Sequence, residues 1–122
     1  MRVKRELGRD LLAAGELSQA RALAKQIIAA GKANFADHMV VARSYFLENN
    51  FQLALEYVEE ARQLEPTRPG PILLLARILE RRDGPAQKAV FLSDCIAQGI
   101  DDVRLTRQLG RAFLATGKFS QA

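Results

Sequence analysis

The chain has 122 residues, 48% of them apolar, with one Cys, one His, no Trp and a net charge of +4. That length holds one domain or a short repeat array, and the apolar share excludes wholesale disorder. The longest apolar run, Ile72 to Ala76, is too short to span a bilayer, and the lone Cys95 excludes an internal disulfide.

Apolar residues three and four apart predict seven helices, over 2–14, 18–30, 36–48, 51–64, 71–82, 85–98 and 103–116, with no strand pattern between them. Gly15 suits the left-handed residue that ends the first helix, and Gly31 punctuates the second. Asn34 is a candidate N-cap for the third, which Asn49 closes. Pro66, Pro69 and Pro71 mark a break before the fifth helix. After Asp83, Gly84 is the better residue to end it, and Pro85 fits the first turn of the sixth. Gly99 ends the sixth, Asp101 or Asp102 caps the seventh, and Gly117 follows it.

A step of 34 residues brings four columns into agreement. Leu7, Val41, Leu75 and Leu109 are branched and apolar, and the next residues, Gly8, Ala42, Ala76 and Gly110, are all small. Leu11, Tyr45, Leu79 and Phe113 are large, and Gly15, Asn49, Asp83 and Gly117 are turn formers. Ala20, Ala54 and Ala122 stand five residues past the turn in the first, second and fourth units. Two antiparallel helices joined by a tight turn need small residues where the backbones meet and large ones beside them. No single hairpin buries its apolar face alone, so hairpins must stack. The third unit breaks step. Lys88 falls where Ala is expected and Ala89 comes one residue late, so either the turn holds an extra residue or Lys88 snorkels outward.

The spacing of Val41-Ala42, Tyr45, Ala54, Val58, Ala61 and Pro66 resembles the tetratricopeptide repeat, and the resemblance extends over essentially the whole chain. The family's frequent Trp is replaced by Lys4, His38, Ile72 and Thr106. The resemblance implies an all-α, right-handed superhelical solenoid of antiparallel helix hairpins. The array has about three and a half repeats (1–34, 35–68, 69–102 and a shortened 103–122). It also implies a protein-binding scaffold or adaptor and no enzyme, with no cofactor and no small-molecule substrate. The high Ala and Arg content suggests a bacterial source, and the chain is expected to be a piece of a longer protein. Leu109 and Phe113 would then face an open end through which copies could associate. No signal-peptide stretch follows the first five residues, and the compartment is left open.

One polar column stands out. The residue after each small packing residue is Arg: Arg9, Arg43, Arg77 and Arg111. At 100° per residue these lie roughly 150° from the packing face, which the resemblance identifies with the concave groove. Arg5 and Arg107 sit one turn earlier, and Phe46 one turn later. The arginines would grip carboxylates of an acidic partner segment, because the planar guanidinium holds a carboxylate at two points. Two alternatives stay open: a binder of anionic polymer, nucleic acid or acidic polysaccharide, and a regulatory domain of a larger enzyme or regulator. A solvated arginine face paired with Glu6, Asp10, Glu48 or Glu80 would also satisfy the pattern. Leu12 and Leu114 read as edge-of-core residues, Tyr45 and Tyr57 as packing residues, and Cys95 as a buried small hydrophobe. His38 and Cys95 belong to different units, and neither a metal-ligand spacing nor a phosphate loop is present.

Overall fold

The computed structural model describes residues 2–31 and 34–117, Arg2 by its backbone alone. Among these residues there are seven α-helices and no strand. They are α1 (Arg2–Ala13), α2 (Leu17–Ala29), α3 (Phe35–Leu47), α4 (Phe51–Leu64), α5 (Pro69–Asp83), α6 (Pro85–Ala97) and α7 (Val103–Thr116). The expected all-α arrangement of helix hairpins is what forms. Every expected helix is present, and α5 begins two residues earlier than its pattern indicated. Pro69 and Pro71 fall in its first turn, where an N–H would have no intrahelical partner, so they start the helix instead of preceding it. The residues Lys118 to Ala122, which carry the fourth unit's Ala, lie outside the described set.

The helix ends follow local chemistry. The Asn34 side chain accepts from the amides of Ala36 and Asp37, and the Asp37 carboxylate accepts from the Asn34 amide at 2.8 Å, closing a reciprocal box. Of the two acids before α7, Asp102 is the cap, accepting from the Arg104 amide at 2.8 Å. The Arg104 side chain and then its amide hold the Asp102 carboxyl below the usual carboxylate range. A depressed folded-state value means this cap stabilises above the unfolded pKa and is lost as pH falls through the folded one.

The hairpin turns close alike in the first two units. The Glu16 amide donates to Leu11 O at 2.9 Å around left-handed Gly15, and the Asn50 amide donates to Tyr45 O at 2.9 Å around Asn49, whose φ is 63°. The third hairpin repeats this bond, the Gly84 amide donating to Leu79 O at 3.2 Å. There α5 runs through Asp83, two residues past the places equivalent to the ends of α1 and α3, and Gly84 alone connects it to α6, at φ 100° and ψ 172°. That region is accessible to glycine and costs other residues about 1–3 kcal/mol. Gly84→Ala is therefore expected to destabilise by that amount in urea unfolding. Gly110→Ala should go the other way, by about 0.5–1 kcal/mol, since Gly110 lies inside α7 with open space where a Cβ would stand.

The chain packs as two compact units, Met1–Pro66 and Thr67–Ala122. In the first, α2 packs on α1 and on α3, and α4 packs on α3. Its core holds Ala20, Ala24, Ile27, Val41, Ala42, Ala54, Val58 and Ala61. The small column thus lies at the helix contacts, with Gly8 Cα facing the Ala20 carbonyl across α1 and α2. In the second unit, Ile72, Ala76, Leu92, Cys95 and Leu105 form the core, flanked by Phe91, Ile96 and Leu109. Two members of the repeat columns depart from the expected burial. Leu7 is half exposed, because α1 has its helix neighbours on one side only, and Gly110 is exposed.

Lys88 does not snorkel. Its side chain is 4% exposed, and its ammonium donates to Gln108 Oε1 at 2.8 Å and reaches Glu80 Oε2 at 3.3 Å. No residue is added in the turn: the Lys88 amide donates to Gly84 O as that of Ala20 does to Glu16 O and that of Ala54 to Asn50 O, so Lys88 stands in the alanine column itself. Lys88 is left facing inward, where a buried charge persists only with polar partners. Here those partners come from α5 and α7.

Candidate protein-binding surface

The first helices of the hairpins, α1 and α3 in one unit and α5 and α7 in the other, are neighbours within their units. The column arginines lie on them. Arg9, Arg43, Arg77 and Arg111 are all exposed, as is Arg107. The exposure of Arg43 and Arg77 is selective. From Asp37 to Phe46 every residue is buried except Arg43, because α3 is enclosed by α1, α2 and α4. From Pro71 to Ile78, Arg77 alone is exposed, Leu73 being half-buried. A guanidinium on such a helix emerges through the one face that packing leaves open.

Arg5 has a different setting. Its Nε lies 3.0 and 3.1 Å from the two carboxylate oxygens of Asp37, whose side chain is 3% exposed and already caps α3. Arg5 and Arg9 border a recess of about 190 Å³ between α1 and the start of α3, with Asn34, Asp37 and Val40 on the other side. Arg5 is thus held by an internal carboxylate. Phe46 is also displaced from its expected place. It is 3% exposed and packs on Phe51 at 6.0 Å between ring centroids, so it belongs to the hairpin core and offers no surface to a partner. The physical reason is the enclosure of α3 by three helices, whereas the periodicity argument allowed for one packing face. Leu12 is half-buried, but Leu114 is exposed and not at the edge of a core.

A second cluster was hidden in residues read as packing. Tyr45 and Tyr57 lie 5.9 Å apart, and the Arg21 guanidinium sits 4.3 Å from the Tyr45 ring centroid while bonding Glu48 at 2.7 Å. The Lys25 ammonium donates to Tyr45 Oη at 2.8 Å, which raises its pKa above the ordinary 10.5. This contact therefore persists at neutral pH and is lost only as pH climbs past that raised value. The spacing of Arg21 and Lys25, one turn apart on α2, was the available signal. His38 lies beside Tyr57 at 6.4 Å, with Nδ1 buried 3.2 Å from Glu60 Oε2 but off the direction of a straight hydrogen bond. Cys95 is buried in the second unit's core.

Among the described residues no cluster has the makings of a metal site, and no helix is long and apolar enough to cross a membrane. An open cleft of about 360 Å³ lies between α6 and α7, with Phe113, Ser93 and Val90 in its walls.

No protein-family model matches the chain, and no curated protein matches it. Among solved structures, MamA AMB-1 superposes with a TM-score of 0.71 at 14% sequence identity. The match covers 98% of this chain and 66% of that one, so the chain spans about two thirds of that protein's length. The likeness is one of fold, and the fold is tetratricopeptide-like.

Proposed function

We propose that this chain is a protein-binding module whose first-helix arginines, Arg9 and Arg43 in one unit and Arg77, Arg107 and Arg111 in the other, take the carboxylates of an acidic partner. The observation that carries the reading is the selective exposure of Arg43 and Arg77 on helix stretches that are otherwise closed. A guanidinium presented this way can fork onto a carboxylate without rearranging the core. Arg5 drops out of the contact set because it is engaged with Asp37, and Phe46 because it is buried.

The test uses a fluorescent peptide of alternating Glu and Leu, followed by anisotropy. Arg43→Glu combined with Arg77→Glu is expected to weaken binding at least tenfold, about 1.4 kcal/mol or more, while helicity and melting stay nearly unchanged. Undiminished binding by the double variant refutes the reading. The number of exposed arginines also suits an anionic polymer. A single-stranded oligonucleotide tests this, since polyanion binding falls steeply with salt, with a log–log slope of about −0.7 per phosphate contacted. Beside the column, though, Phe46 supplies no stacking surface, which favours the peptide.

A further inference from the structure

The surface around Arg43 is not charge alone. On α3, Ala36, Val40, Arg43 and Leu47 follow one another at helical spacing and share one face, because residues three and four apart are neighbours on a helix surface. Ala36 and Val40 line the recess that Arg5 and Arg9 border from α1. At the other end of the face, Leu47 is 55% exposed, although α1, α2 and α4 all pack on α3. The face therefore runs from a partly apolar recess, past a guanidinium, to an open leucine.

An exposed leucine by itself signifies nothing, since single apolar side chains are common on surfaces. Its place is what matters. Of the charged side chains within α3, Asp37 is buried against Arg5 and Arg43 is exposed. The charge that α3 presents outward is thus positive, and the exposed apolar side chain one turn on is Leu47. A partner complementary to this face carries the opposite charge with an apolar group beside it. The spacing is also specific. Side chains four apart on a helix stand about 5–6 Å apart. Alternate side chains on one face of an extended segment recur about every 6–7 Å, so the two patterns can be matched.

We infer that the partner is an acidic–apolar segment of another protein: where its carboxylate meets Arg43, a large apolar side chain on the same face seats on Leu47. This rests on the reading of the arginines as the partner surface, and it names what discriminates among acidic segments. A guanidinium donates to the carboxylate of any acidic chain, and that attraction is screened by salt. Covering the exposed part of Leu47 rewards only a segment with an apolar side chain at the right place. Leu47 is thus the specificity-determining residue of the first unit's surface.

The probes are two labelled peptides of equal charge, repeats of Glu-Ser-Leu-Ser and repeats of Glu-Ser-Ser-Ser, titrated with the whole chain and followed by anisotropy. The leucine peptide is expected to bind about fivefold or more tightly than the serine peptide, the effect of covering a half-exposed leucine. Leu47→Ser should bring the two affinities together, and Leu47→Met should keep them apart. Melting should be nearly unchanged in both variants, because the side chain is exposed. Arg43→Glu should weaken both peptides alike. Equal affinities in the parent chain, or a ratio that survives Leu47→Ser, overturn the inference. If Arg43→Glu weakens neither peptide, the reading of the arginines itself is refuted, so the two failures are told apart. Self-association in sedimentation that Leu47→Ser abolishes also overturns the inference, since the occupant would then be a second copy.

Discussion

Leu92→Ala is expected to lower the free energy of unfolding by about 3–4 kcal/mol in urea titration, within the usual range for such truncations. Leu92 is fully buried on α6 and packs with Ile72 and Ala76 of α5, Cys95 of its own helix and Leu105 of α7. Three helices converge there, and α5 and α6 are tied by a single residue, Gly84, so the walls have little freedom to collapse into the cavity. A small loss, below about 1 kcal/mol, would mean that this core is loosely packed.

The second large effect is expected at Arg5. Arg5→Met should cost about 2–3 kcal/mol, because it strands a carboxylate that is almost wholly buried. Asp37 would keep the Asn34 amide as a donor but lose the guanidinium that spans both of its oxygens. Part of the cost is offset because Arg5 itself is about one-quarter exposed. Replacing both partners should cost less than the sum of the single replacements, since the double variant strands no charge. A double-mutant cycle by thermal or urea unfolding checks this, and strict additivity would deny the pairing. The result also guides binding experiments, because weakened binding by an Arg5 variant would report damaged folding.

These two sites differ in how much of them the sequence disclosed. The Leu92 core follows from helical periodicity, and the turns follow from residues with few conformational alternatives, Gly15, Asn49 and Gly84. The Asn34 cap was legible because residue type and position suffice to name it. The Arg5–Asp37 pair was not, since its members stand 32 residues apart and nothing in either neighbourhood names the other. Phe46 was assigned to the surface by an argument that gives a helix one buried face. That holds near the chain's first helix and fails for α3, which touches three others. Lys88 broke the alanine column visibly, yet its burial depended on Gln108, 20 residues away, and on Glu80. The arginine column was legible as a pattern. What the sequence could not supply was the degree to which packing closes everything around Arg43 and Arg77.

The account rests on small residues setting the distance between paired helices. The most direct measurement compares Ala42→Leu with Ala22→Leu by urea unfolding. Ala42 is fully buried on α3, whereas Ala22 is exposed on α2, and the substitution adds the same atoms at both. The account predicts a loss of about 1–3 kcal/mol at Ala42 and a change within about 0.5 kcal/mol at Ala22. Equal, small effects at the two positions would contradict it.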